Sequence, residues 1–226
     1  VTNAADKYVS TTGNNANPGT LASPWRTLAY AGANTVSGDI IHVLAGTYNE
    51  PTPCILKVGV SIDGVGVTSN IVSTYASGAA ISLTSSTDGT NGNQSISNIK
   101  LDGSSLTGAT AIEVIARSNV KIFNCTIQDF LKNGVILNGS NNFGQPAVYM
   151  TGCELYNCTI TNNSDRNYGQ GNIVATGYRG ILIHDNVITQ TSRPTGHNGN
   201  TMSATTAGFS EGLKFYNNIS YRNADE

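Results

Sequence analysis

The chain has 226 residues, of which 12% are charged, with a formal net charge of −2 and a pI near 5.9. That is about half the usual charged share, and without a basic run it leaves no electrostatic footprint for nucleic acid or an anionic membrane surface. No apolar stretch approaches the roughly 20 residues a bilayer span needs, so neither nucleic acid nor membrane is expected as a partner.

Asparagine (27) and glycine (25) are abundant, which gives a polar but largely uncharged surface. No Pro-, Ser- or charge-rich linker divides the chain, so 1–226 reads as a single domain. No signal peptide is visible at Val1, as in a mature exported protein, and a secreted or cell-surface location is expected.

From the N-terminus, Tyr8, Val9 and Ser10 form a short strand, and a polar loop with Asn-Pro-Gly turn chemistry follows at 13–19. Ser23-Pro24 reads as a helix start, with Trp25, Leu28, Ala29 and Ala31 forming an amphipathic turn or two. Gly38-Asp39 leads into a strand at 40–44. Residues 1–50 therefore read as a cap plus a first coil, and 51–226 as further coils.

The repeats carry that reading. VKIFNCTIQD at 120–129 returns as CELYNCTITN at 153–162 and ILIHDNVITQ at 181–190, with a looser copy at 213–222 and a weaker one at 97–104. Each copy alternates apolar residues, bends at an Asn, then alternates again. Period two marks a strand with one buried face, and Asn tolerates the left-handed backbone of a sharp bend. Corners expected at Asn98, Asn124, Asn157, Asn186 and Asn218 lie roughly thirty residues apart, a period that signals stacked repeats.

The fold expected is an all-β, right-handed parallel β-helix with a short N-terminal capping helix. An antiparallel sandwich would not need an Asn at the same point of each repeat. Ile127, Ile160 and Ile188 are expected to stack in the core. Cys125 and Cys158 should be core neighbours, as thiols or as a disulfide, with Cys54 isolated. With Ile219 one place early and no polar cap after Tyr221, the C-terminal end should be a truncated domain or an end-to-end self-association surface.

The order YVS, PGT, SPWRTL, GD and AGTY between Lys7 and Glu50 resembles the N-terminal coil and cap of the pectate-lyase-like β-helix superfamily. The resemblance implies activity on acidic (uronate) polysaccharide, as a lyase by β-elimination or as an epimerase; a noncatalytic carbohydrate-binding or adhesive β-helix is the alternative. It implies Lys or Arg as base and calcium held by Asp or Glu. The tail NISYRNADE at 218–226 looks like the coil before the calcium aspartates of one pectate-lyase family, which makes Asp225 a ligand candidate.

No nucleophile elbow, HExxH, phosphate loop or EF-hand is present. What remains are polar residues on loops that lengthen along the chain, at 130–133, 163–171 and 191–200, since insertions in solenoids gather on the binding face. Arg193 and Arg166 are the catalytic candidates. Arg117, Arg179, Tyr168 and His197 are the substrate-binding candidates, and Asp165, Glu211 and Asp225 the metal candidates. His184 and Asp185, at a strand end and corner away from that face, read as structural, as does His42.

Overall fold

The computed structural model describes residues 4–75, 77–104, 109–141, 145–163, 171–189, 202–203 and 209–221. Three parallel sheets of eight, seven and six strands wind into about six turns of a right-handed β-helix, the fold expected from the repeats. Most coils contribute one short strand to each sheet, and successive coils pair in parallel, with one register shift between Ser118 and Val120.

In the first sheet Ile41, Ile62, Ile96, Ile122, Leu155 and Ile183 stack inward, all at most 1% exposed. In the second, Leu101, Ile127, Ile160 and Ile188 form a fully buried column. In the third, Cys54, Ile81, Ile112, Val135 and Ile173 do the same. Hydrophobic burial at neighbouring rungs spaced about 4.8 Å is therefore continuous along the axis.

The corner between first and second sheets is one residue in the left-handed region: Asn98, Asn124, Asn157, Asp185 and Asn217, with φ between 52° and 56°. Asn and Asp tolerate this backbone better than other non-glycine residues. The corners expected at Asn186 and Asn218 are thus corrected by one place. Those two residues follow the corner and point inward, in the column of Ile99, Cys125 and Cys158. There Asn186 donates to the Leu155 carbonyl (3.0 Å) and to Asn218 Oδ1 (2.9 Å), while its own Oδ1 accepts from the Cys158 N–H (3.0 Å). Outward amides bond along the axis where Asn124 donates to Asn98 at 3.1 Å.

The helix begins later than Ser23-Pro24 suggests. It spans Leu28–Asn34, with Thr27 as its N-cap accepting from the Tyr30 N–H, while the buried Glu50 carboxylate accepts from the N–H groups of Leu28 (2.8 Å) and Ala29 (3.3 Å). Burial pushes the Glu50 carboxyl upward, against those bonds. Trp25 instead bridges to Val9, and its ring lies against Gly19, where a Cβ would come within 2.5 Å of the indole.

All four cysteines are free and buried. Cys125 and Cys158 are neighbours as expected, and burial together with the Cys125 thiol holds Cys158 well above the ordinary thiol range. At the C-terminal coil, Ile219 pairs with Val187 on the outward face and is 60% exposed, so Ser220 occupies the core position beside Ile188. Residues 222–226, where a capping turn would lie, are outside the described residues.

Replacing Ile160 by Ala should cost about 2–5 kcal/mol in denaturant unfolding, the usual range for a core truncation that leaves a cavity; a loss near zero would contradict its buried place. Thiol labelling should reach none of the four cysteines in the native protein and all of them after unfolding.

Candidate functional site

Two exposed sheet faces carry ionisable side chains in ordered positions. The first is the outer face of the third sheet, whose later strands each follow one of the lengthening segments in the chain. Its outward column runs Ile55, Ser82, Glu113, Ile136 and Val174. Among the described residues Glu113 is the one carboxylate there. It is half-buried, and desolvation raises its pKa against the opposing pull of the Lys132 ammonium. A carboxyl whose pKa burial raises, near a cation, is a proton-transfer group of the kind active sites use. Glu113 escaped the sequence reading, although its place in TAIEVIA opposite Ile112 and Val114 marks it as an outward carboxylate on an otherwise apolar strand.

The candidates drawn from sequence fare differently. Arg166, Tyr168, Arg193, His197, Asp165 and Asp225 lie outside the described residues. Arg117 is corrected: it is 3% exposed and faces inward. Its Nε donates to Ser85 Oγ (3.0 Å), its Nη1 to Gln94 Oε1 (2.9 Å), and its Nη2 to the carbonyls of Leu56 and Thr84 (both 2.9 Å). Desolvation lowers its pKa to about 10, which leaves it charged at neutral pH, and its donors are turned to protein acceptors rather than to a ligand.

Arg179 and Glu211, expected in substrate and metal roles, pair with each other at 2.9 Å, and the Arg179 guanidinium also lies over the Tyr149 ring at 4.7 Å. A carboxylate already engaged by a guanidinium does not fit a hard-cation ligand, and no group of three or more acidic, histidine or cysteine side chains converges as a metal site among the described residues.

The second face is the outside of the first sheet. One outward column reads Tyr8, His42, Asp63, Ser97, Phe123, Tyr156, His184 and Tyr216. The last four rings stack with centroids 5.0, 5.3 and 4.8 Å apart and planes within 8° of parallel. Beside them runs a chain of ion pairs. Lys121 Nζ meets Glu154 Oε2 at 3.0 Å, Glu154 Oε1 meets His184 Nε2 at 2.9 Å, and His184 Nδ1 meets Asp185 Oδ2 at 2.7 Å. His184 and Asp185, read from sequence as structural, are the centre of this relay.

The hydrogen bonds to Asp185 and then Glu154 raise the His184 pKa. His184 in turn holds Glu154 and Asp185 low. Both ring nitrogens are engaged by carboxylates, which favours the protonated ring, and the ring is held between two tyrosines. At the other end of the column His42 repeats the motif, 2.9 Å from Asp6 and stacked on Tyr8 at 4.9 Å.

A protein-family model described as "Protein of unknown function (DUF1565)" matches residues 11–225. The chain belongs to that family. No curated protein sequence matches it. Among solved structures it is similar to ORF18 of Geobacillus virus E2, at 14% identity and TM-score 0.49, covering 84% of this chain and 49% of that one. It is also similar to a rhamnogalacturonan lyase, at 14% and 0.48, covering 98% and 64%, and to pectate lyase Pel9A, at 14% and 0.43, covering 88% and 58%. The DUF1565 chain thus spans about half to two thirds of the length of these structures. No helix among its described residues is long and apolar enough to cross a membrane.

The sign of the relay's pH dependence follows from these shifts. The charged His184 contributes stability fully below the ordinary histidine pKa of about 6.5, and loses it as pH rises through the elevated folded value. Glu154 and Asp185 contribute above the ordinary carboxylate range near 4, and lose it as pH falls through their depressed values. The relay is therefore strongest between the two. An NMR titration of the His184 ring should give a midpoint above about 6.5, and Glu154→Gln should lower it; a midpoint unmoved by that substitution would contradict the relay.

Proposed function

We propose that the protein is an extracellular polysaccharide-active β-helix that works on acidic polysaccharide across the outer face of its third sheet, as a lyase or epimerase. The supporting observation is Glu113, a half-buried carboxyl with a raised pKa near Lys132, on the sheet whose later strands follow the lengthening segments of the chain.

Both chemistries begin when the carbon α to a uronate carboxylate loses its proton to a base, for which Arg193 and Arg166 on those loops remain the proposed groups. In a lyase the glycosidic C–O bond then breaks and the leaving oxygen takes up a proton. Glu113 supplies that proton in this reading, and Lys132 faces the carboxylate as its charge grows. Tyr168 and His197 are assigned to substrate contact. Calcium is given no step, because Glu211 is engaged by Arg179.

A noncatalytic carbohydrate binder is the second reading. One observation favours it: among the described residues the outward column Ile55, Ser82, Glu113, Ile136 and Val174 holds one carboxylate and no lysine or arginine, so an acid and a base are not assembled together in it.

Incubation with pectate or alginate should raise ultraviolet absorbance as an unsaturated uronate forms. Glu113→Gln should slow the rise about 10²-fold or more, the usual contribution of a general acid, while leaving oligosaccharide binding in place. Binding without any product would select the second reading, and neither binding nor product would remove both.

A further inference from the structure

The third sheet ends upstream at the two-residue strand Cys54–Ile55, and the element packed against that edge is the cap helix Leu28–Asn34 rather than another strand. The two meet closely at Gly32, where a Cβ would come within 2.8 Å of Cys54 Sγ and 2.9 Å of the Ile55 carbonyl. A helix about 10 Å across takes the place of a strand spaced about 4.8 Å from its neighbour, so the flat sheet face does not continue past the contact. A trough is left beside it, an open groove of about 610 Å³.

Most of the lining is apolar. Ala29, Tyr30 and Ala33 come from the helix, and Pro53 and Ile55 from the strand side. Ile55 is 64% exposed, the most of any large apolar side chain among the described residues. A single exposed apolar residue needs no explanation, but this one adjoins four others on a concave surface, the form that small-molecule sites take. Hydrogen-bonding groups are few. Thr27 Oγ1 is already bonded to the Tyr30 N–H at 3.3 Å and to Asn15 Nδ2 at 3.0 Å, which leaves Thr52 and Lys57 as the other polar side chains of the lining.

Lys57 sets the sign of what fits. Its Nζ donates to the Thr35 carbonyl at 2.9 Å, which fixes the ammonium at the C-terminal end of the helix with one of its three donors. That acceptor is neutral. Among the described residues Lys57 forms no ion pair, whereas Lys100 and Lys121 lie 3.1 and 3.0 Å from carboxylates. The Glu50 carboxylate, which accepts from the Ala29 N–H, is buried at the helix N-terminus and does not line the groove. An anion in the groove therefore meets a cation whose charge no carboxylate cancels.

The apolar lining limits the rest of the ligand. A sugar ring seated here would bury several hydroxyls with little but Thr52 and Lys57 to replace their water, a loss that counts against it. A hydrocarbon body bearing one carboxylate meets the apolar lining and the ammonium together. We propose that this groove binds a small apolar monocarboxylate, its carboxylate on Lys57 and its hydrocarbon body along Tyr30, Ala33, Pro53 and Ile55. The site goes beyond the polysaccharide reading and does not rest on it. Ile55 shares the outward column of Glu113 but lies two rungs away, roughly 10 Å at about 4.8 Å per rung.

The test is an NMR titration of the backbone amides with cinnamate, with its neutral counterpart cinnamamide, and with galacturonate, which carries the same charge on a hydroxylated ring. Cinnamate should shift the amides of Ala33, Ile55 and Lys57 and bind roughly tenfold more tightly than cinnamamide, while galacturonate should leave them unmoved. Lys57→Gln should weaken cinnamate to the level of cinnamamide and leave cinnamamide unchanged. Ala33→Trp, which fills the groove from an exposed helix position, should abolish the shifts with both, and Glu113→Gln should alter neither. Absence of cinnamate shifts in the wild-type protein would overturn the assignment, as would equal affinity for cinnamate and cinnamamide. So would shifts that survive Ala33→Trp, or galacturonate binding at these residues as tightly as cinnamate. Cinnamate shifts lost in Glu113→Gln would place the ligand on the face of that carboxyl and overturn this site. Cinnamate bound here in a protein that neither binds nor cleaves uronate polymers would remove the proposed function and leave this site standing.

Discussion

A single backbone conformation, repeated once per coil, sets the geometry on which everything else depends. Five residues at the corner between first and second sheets share φ values of 52–56°, and the chain leaves each corner in the same direction. Parallel pairing then copies every position onto the coil above, because a one-residue slip would turn the core set outward. The columns are consequences of that constancy: isoleucines within, rings and charges without. A side chain's chemistry is shared with the residue one coil away more than with its sequence neighbours, which is how Glu154 and His184, thirty positions apart, come to lie 2.9 Å from each other.

The interior changes character along the axis. The column after the corner reads Ile99, Cys125, Cys158, Asn186 and Asn218, from apolar to thiol to amide. Buried amides are tolerable only when satisfied, and Asn186 meets this by bonding to the Leu155 carbonyl, the Cys158 N–H and Asn218. The downstream coils therefore hold themselves together with directional bonds where the upstream ones use packing. Such a column specifies register as well as stability, since a shifted rung would leave an amide unpaired.

Much of this was legible in the sequence. Alternation and the thirty-residue period were enough for the three-strand coil and the stacked isoleucines. The corner was missed by one place where two competent residues adjoin, Asp185-Asn186 and Asn217-Asn218. The core residue follows the corner by three positions in Asn124–Ile127 and Asn157–Ile160, and the same spacing selects Asp185 for Ile188. The superposition that stacked the cysteines also aligns Phe123, Tyr156, His184 and Tyr216, so the ladder was readable there too. Arg117 was not readable: its burial depends on carbonyls 33 and 61 positions away, and no local pattern distinguishes such an arginine from a solvated one.

That arginine bears on how the solenoid comes apart. A stack in which each coil touches only its neighbours can unravel one coil at a time, its stability a sum of adjacent terms. The Arg117 guanidinium breaks this rule, since it reaches past the adjacent coil to the Leu56 carbonyl two coils below while also holding Thr84, Ser85 and Gln94. Opening any one of these coils leaves a buried guanidinium donor without its acceptor, a penalty the neighbouring coils then share. The three coils from Leu56 to Arg117 are thereby coupled, so that none of them opens without a cost to the other two.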